Sequence, residues 1–495
     1  LKKISVIGSG IAGLAAATDL AAKGFEVTIF EKNNKSGGRI NSFEAEGYRF
    51  DMGPSWYWMP EVFEDFYQKY SHTASDFYDL VRLDPSYRVV FSEDEHIDIP
   101  ADFESLVRIF EELEPGSGDK LHKFINEAEF KYKVGMSDFV WKPAHSIFEF
   151  ANPTIIKNAF KLQLFNSISK EISTVVSHPR LRKILEFPVL FLGATPQNTP
   201  ALYSLMNYAD LKLGTWYPKG GMHKIAEAFT KIALGQGVSF NYDTPITSFS
   251  YSNDKITHVI SKDLKFETDM TVAAADYHHV DQNILSSNYA NYTQNYWDKR
   301  KLAPSSILMF LGVNKKIKNL KHHNLFFDTD FERHAEEIYT DPIWPSDPLF
   351  YVCAPSVTDS TVAPEGKENL FVLIPVAPDL DDADISIYDT YYNVIIERIE
   401  KYTGVDIKDH IGYKKFFGVS DFKSTYNSFK GNAYGLANTL FQTAFLKPAL
   451  KNKNLTNLYY AGQMTTPGPG LPPSIISGQV AATEIAKLIN LEEYA

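Results

Sequence analysis

Gly8, Gly10 and Gly13 stand in the spacing G-x-G-x-x-G, and Glu31 closes the apolar run that follows. These residue types at this spacing can hold a dinucleotide. Gly8 permits a tight turn out of a strand. Gly10 lets main chain come up to a pyrophosphate, and Gly13 lets a helix pack closely on a sheet. The N–H groups of Ile11 and Ala12, at the start of that helix, are free to hold phosphate oxygens. Glu31 can accept hydrogen bonds from ribose hydroxyls. A carboxylate there disfavours a 2′-phosphate, so NADP fits poorly.

Other familiar constellations are missing. The pairs His278-His279 and His322-His323 lack the ligand spacing of a helix and read as surface or packing histidines. Cys353 is the only cysteine, so neither an intrachain disulfide nor a thiolate cluster can form, and no metal site is expected.

The elements that must carry the fingerprint are legible around it. Residues 4–7 form a short apolar strand, residues 14–23 a helix stopped by Gly24, and residues 25–30 (FEVTIF) a second strand. Residues 237–240 and 244–246 read as two more short strands. Near-continuous apolar runs at 305–313, 349–353 and 369–376 suit a mixed sheet under a cavity. At the carboxy end, a strand closing on Ala461-Gly462 leads into a Pro/Gly-rich loop, and a helix is expected to start near Ser474.

With 495 residues, the chain has room for more than one unit. Its net charge of -12 argues against nucleic acid as a partner. No basic leader precedes an apolar segment, and no apolar run reaches membrane-spanning length. A cytoplasmic protein, with peripheral membrane contact open, is the expectation. Oligomeric state is not legible.

Two further segments narrow the nucleotide. Residues 32–39 run from Lys32 to Gly37-Gly38-Arg39, and residues 50–55 carry Gly53-Pro54-Ser55. With residues 216–221 (WYPKGG), 354–366 (APSVTDSTVAPEG) and 458–478 (LYYAGQMTTPGPGLPPSIISG), they resemble the bacterial phytoene desaturase family of carotenoid desaturases, within the amine oxidase superfamily. The resemblance runs from end to end and implies FAD rather than NAD, a long acyclic polyene substrate and a membrane-peripheral enzyme. It implies that Lys32, Gly37, Gly38, Arg39, Gly53, Pro54 and Ser55 join the fingerprint around FAD. It adds Gly462, Gln463, Pro473 and Ile475 from the carboxy end, and Ile246 at the adenine edge. Trp56-Tyr57-Trp58 departs from the smaller residues usual there, and reads either as a substrate entrance or as packing.

The fold expected is α/β: a discontinuous Rossmann-type FAD domain (1–90, 215–285, 430–495), a lid region (91–214) and a mixed-sheet substrate domain (286–429). A carotenoid offers no acidic proton, so its dehydrogenation calls for hydride transfer to the flavin, with the protein orienting and shielding. Members of the group act on phytoene or, later, as 3,4-desaturases, and this chain is expected to be one of these. An amine or porphyrinogen oxidase, or a carotenoid-binding flavoprotein without catalysis, are the competing readings. Candidate polar actors are Arg182, which otherwise solvates a helix face, and Asp359, which otherwise caps a turn. Residues 131–183 hold nine Lys or Arg against three Asp or Glu, interleaved with large apolar side chains. That pattern suits a membrane-docking lid or an amphipathic cover on the core.

Overall fold

The strand Lys3–Ile7 is buried along nearly its whole length, as a central strand of a parallel sheet must be. Five parallel strands lie in the order Leu458–Tyr460, Met270–Ala273, Lys3–Ile7, Glu26–Phe30, Ser239–Asn241. The sheet is thus built from three distant stretches of chain, the discontinuous arrangement expected. In this computed structural model, residues 1–146, 149, 166–439, 442–443 and 446–493 are described.

The helix Ile11–Ala22 is mostly alanine and leucine, its Thr18 bonded to the Leu14 carbonyl and its Asp19 paired with Lys69, and every residue from Ile11 to Ala21 is buried. A helix whose apolar residues run nearly all the way round must be enclosed. Here the sheet covers one side, and helices His223–Gly235 and Leu471–Glu493 cover the other. The terminal helix comes so close that a Cβ on Gly478 would stand 2.2 Å from the Ala12 carbonyl oxygen.

A second sheet has seven strands in the order Ile411–Phe417, Ser305–Val313, Glu368–Val376, Phe350–Cys353, His323–Phe326, Tyr87–Ser92, Glu95–Ile99. Only the pair His323–Phe326 with Tyr87–Ser92 is parallel, so the sheet is mixed. Alternate residues of Ser305–Val313 divide between two cores. Ile307, Met309 and Leu311 pack under helix Ser386–Thr403, while Leu308 and Phe310 face the other way. The expected boundary at residue 90 falls inside the strand Tyr87–Ser92. Helices between residues 103 and 213 close the remaining side.

Two local expectations need correction. Residues 237–246 supply one strand, Ser239–Asn241, and Thr244 instead turns its N–H to the Glu31 carbonyl at 2.8 Å. The last helix starts at Leu471, not near Ser474. Pro472 and Pro473 fit its first turn because N–H groups there have no helical acceptor.

Candidate active site

One cavity of about 920 Å3 runs between the two sheets. It lies at the upper end of ligand pockets, which hold roughly 300–1,000 Å3. One arm is glycine-rich and polar. Gly8, Gly10, Ile11, Ala12, Glu31, Lys32, Gly37, Gly38, Arg39, Gly53, Pro54, Ser55, Ile246, Gly462, Gln463 and Pro473 all line it. Segments far apart in sequence meet there: Gly10 bridges Gly37, and the Gly37 N–H donates to the Ser9 carbonyl at 2.9 Å.

Gly13 and Ile475 do not reach the cavity. Gly13 sits behind it, where a Cβ would be 2.0 Å from the Gly8 carbonyl oxygen. Ile475 is fully buried, with the side chain in the core.

Glu31 is more committed than its sequence position suggests. Its Oε2 accepts from the Ser9 N–H and hydroxyl, both at 2.8 Å, and its Oε1 from the Asn33 N–H and amide, both at 2.9 Å. Four donors fill a carboxylate's acceptor sites. A ribose hydroxyl gains a place by displacing the Ser9 hydroxyl or the Asn33 amide. Arg39 donates to Ser428 Oγ at 2.9 Å and lies over the Tyr426 ring at 5.1 Å, while its Nε is buried without a partner. Burial lowers the Arg39 pKa, and Asp276 offsets part of that.

Asp276 is a cavity residue that the sequence reading missed. It follows strand Met270–Ala273, takes the His279 N–H at 3.1 Å, and is pushed up to about 6 by burial despite that bond and the Arg39 charge. The small-residue run Ala273-Ala274-Ala275 just before it was the available signal, since such runs mark close backbone approach.

The other arm is apolar. Leu308, Leu325, Tyr351, Phe371 and Leu373 from the mixed sheet face Phe187, Leu190, Met206, Met136, Phe139 and Val140 from the helical side. Trp56 and Trp58 also line the cavity, and Tyr57 points away into the core, its hydroxyl 3.1 Å from that of Tyr78. Strand-like alternation thus puts Trp56 and Trp58 on the cavity wall and Tyr57 in the packing behind it.

Neither polar actor proposed from sequence lies on this cavity. Arg182 donates to Ser169 Oγ at 3.0 Å and Glu186 Oε1 at 3.2 Å, tying helix Pro179–Glu186 to its neighbour. Asp359 is buried and takes four hydrogen bonds: Gly220 N–H at 2.6 Å, Tyr217 hydroxyl at 3.2 Å, Thr361 N–H at 2.9 Å and Thr361 hydroxyl at 2.7 Å. Burial alone would raise its pKa, but these donors hold it below 3.8. It is a clamp between the WYPKGG loop and its own loop. Asp359→Asn turns an amide N–H2 toward these donors. We expect a stability loss of about 2–4 kcal/mol, read by urea unfolding. A loss under about 0.5 kcal/mol, the range of ordinary surface changes, contradicts the clamp.

Of the histidine pairs, His322-His323 falls on the packing side of that reading. His322 and His323 are buried, and Cys353 faces His323 across two antiparallel strands. Spacing along the chain cannot show a neighbour supplied by strand pairing.

The family model for flavin-containing amine oxidoreductases matches residues 11–486. A carotenoid 3,4-desaturase from Haloarcula japonica is 39% identical over 97% of this chain and 97% of its own length. A 4,4'-diapophytoene desaturase (4,4'-diaponeurosporene-forming) from Staphylococcus haemolyticus is 30% identical, again over 97% of each. A crystal structure of an oxidoreductase from Methanosarcina mazei superposes with a TM-score of 0.65 at 15% identity, covering 98% of this chain and all of that one. Matched over nearly its whole length, the chain belongs to the flavin-containing amine oxidoreductase family, among its carotenoid desaturases.

Proposed function

We propose that the chain dehydrogenates a CH–CH bond of a long apolar carotenoid, with FAD in the glycine-rich arm and the polyene in the apolar arm. The observation that carries this is the continuity of the two arms in one cavity. The glycine-rich arm fits an extended dinucleotide. A Cβ added to Gly10 would meet nothing within 4 Å, so the main chain there faces open space. The buried, unpartnered Nε of Arg39 leaves a donor for an anionic or carbonyl oxygen.

When bound, FAD supplies the hydride acceptor that no amino-acid side chain provides. The protein's part is placement and exclusion of water. Gly8, Gly10, Gly37 and Gly38 bring main chain to the phosphates and ribityl chain, and Ile11 and Ala12 offer helix N–H groups. Lys32 adds a positive charge at the polar end, and Glu31 holds the Ser9 and Asn33 loops in shape beside the ribose. Gly53, Pro54 and Ser55 border the ring system, and Gly462, Gln463 and Pro473 approach from the carboxy end. Ile246 covers the adenine. Trp56 and Trp58 hold the polyene against the flavin, where alignment of one C–H bond is the main catalytic contribution.

Introduction of the 3,4 double bond is the finer reading, favoured by the 39% identity to the 3,4-desaturase. Peripheral membrane contact is proposed because such a substrate resides in lipid. The exposed Trp141 beside the cavity-lining Val140 marks the face for it. No described helix is long and apolar enough to cross a membrane.

The test is anaerobic mixing of the FAD-loaded protein with carotenoids in liposomes, followed by flavin absorbance and product chromatography. Bleaching by hydroxylated or cyclisation-free carotenes, with a product lighter by two hydrogens, is expected. Bleaching by primary amines or a porphyrinogen instead assigns it to the oxidases of the superfamily. Tight carotenoid binding without bleaching assigns it to non-catalytic carriage.

A further inference from the structure

His322, His323 and Cys353 bring one donor atom each to within 4.8 Å of one another. All three are buried, at 4%, 0% and 4% exposure. Strand pairing puts His323 directly opposite Cys353, and His322 enters from the turn before the strand. The two imidazole rings lie edge to face at 4.5 Å.

Each imidazole is oriented through one nitrogen only. His322 Nδ1 lies 2.9 Å from Thr358 Oγ1, and His323 Nδ1 lies 2.5 Å from the Tyr351 hydroxyl. Both Nε2 atoms are buried and have no hydrogen-bond partner. Leaving one such atom unmade costs about 1–3 kcal/mol, and here there are two in one place. Aromatic packing fixes the rings further: Trp56 stacks on His323 at 4.2 Å and Tyr217 lies 4.5 Å from His322. A ligating histidine is held this way, one nitrogen on an outer partner and the other lone pair free.

We propose that His322 Nε2, His323 Nε2 and Cys353 Sγ bind a thiophilic d10 cation, Cu(I) or Zn(II), behind the Trp56–Tyr351 wall of the cavity. Two imidazoles and a thiolate suit either ion. Bond lengths of ~2.0–2.3 Å place donors roughly 3.5 Å apart, so the side chains must close by ~1 Å. Cu(I) with one thiolate is neutral, which favours it in a buried site, and it accepts three ligands. Zn(II) keeps one positive charge, which Asp51 and Asp359, close enough to act on Cys353 and His322, can balance. Binding expels the thiol proton and ties the two strands together. The inference concerns these side chains alone and stands apart from the desaturase reading.

The test uses the FAD-loaded full-length protein from cells grown with added copper or added zinc. Elemental analysis against flavin content is expected to give about one cation per chain in one arm. Cys353→Ser and His323→Gln should lower it at least ~10-fold at unchanged flavin content, and His258→Gln, on strand Lys255–Ser261 of a separate three-stranded sheet, should not. X-ray absorption of the wild-type protein needs no variant and should show one sulfur neighbour at ~2.2–2.3 Å. No cation in either arm, a spectrum without sulfur, or a folded Cys353→Ser chain that still holds the cation overturns the proposal.

Discussion

Lys131→Met will lower the folding stability of the FAD-loaded protein by about 3–5 kcal/mol, the cost of leaving one buried charge without its partner. Lys131 is completely buried. Its ammonium donates to Glu171 Oε1 at 2.8 Å and Oε2 at 3.0 Å, to the Ala201 carbonyl at 3.0 Å and to Ser204 Oγ at 2.9 Å. Burial lowers the lysine pKa and raises the glutamate pKa, each partly offset by the other's charge. Desolvation is therefore the largest influence on both, and the pair is a poor net stabiliser that is nonetheless costly to break. Lys131→Met with Glu171→Leu should recover most of the loss, because no charge is then left unpaired. A urea-unfolding double-mutant cycle measures both effects. The helix Ser117–Val134 also carries Tyr132 to the cavity, and Met136 and Phe139 follow in the next turn. The single variant should therefore loosen the helical wall as well. A single-variant loss under about 1 kcal/mol would show that the helix is held by other contacts.

The same lysine shows why the lid was only partly legible. A charge count over residues 131–183 treats every cation as solvent-facing. Yet Lys131 pairs inward with Glu171, while Arg180 and Arg182 keep part of their exposure but are held by Glu95 and by Glu186 and Ser169. Their acids lie on other elements or one turn away, where a running sum along the chain does not associate them. The apolar residues Ile147, Phe148, Phe150, Ile155, Ile156, Phe160, Leu162, Leu164 and Phe165 lie outside the described residues. Val140 lines the cavity and Trp141 is exposed.

Local structure was legible wherever spacing along the chain equals spacing in space. The strand, glycine turn, helix and second strand of residues 4–30 are consecutive, so their contacts follow from order alone. The carboxy-terminal strand was placed by resemblance, and the parallel ladder of Leu458–Tyr460 on Met270–Ala273 bears that placement out. Asp359 and Arg182 failed as cavity residues for a common reason. A charged residue in a suggestive segment can equally be consumed by hydrogen bonds from its own neighbourhood, and only three-dimensional donors decide. The His322, His323, Cys353 cluster was missed because strand pairing brings Cys353 to the histidines, and Asp276 because Arg39 and the Phe429 N–H reach it from distant segments.

Gly10→Ala and Gly13→Ala, two changes three residues apart, should separate cofactor binding from folding. Gly10 precedes helix Ile11–Ala22 with φ -68 and ψ 173, a backbone conformation alanine adopts without strain. The added Cβ meets no protein atom within 4 Å and projects toward the proposed FAD phosphates. The apo-protein should keep its stability, or gain about 0.4–1 kcal/mol from a less flexible unfolded chain. FAD affinity should fall ~10–100-fold, one or two steps of 1.4 kcal/mol. Gly13→Ala is different in kind. Its Cβ would stand 2.0 Å from the Gly8 carbonyl oxygen and 3.1 Å from Ala274 Cβ. The helix cannot retreat, because the far side is pressed on the terminal helix at Gly478. Overpacking of this sort costs about 1–3 kcal/mol and moves the helix start that carries the N–H groups. Stability and cofactor affinity should therefore fall together in Gly13→Ala, and affinity alone in Gly10→Ala. Flavin retained per chain and thermal unfolding of the stripped protein read the two quantities independently. A Gly10→Ala protein that purifies as yellow as the wild type would remove the pyrophosphate from this turn, and with it the first arm of the cavity as the dinucleotide site.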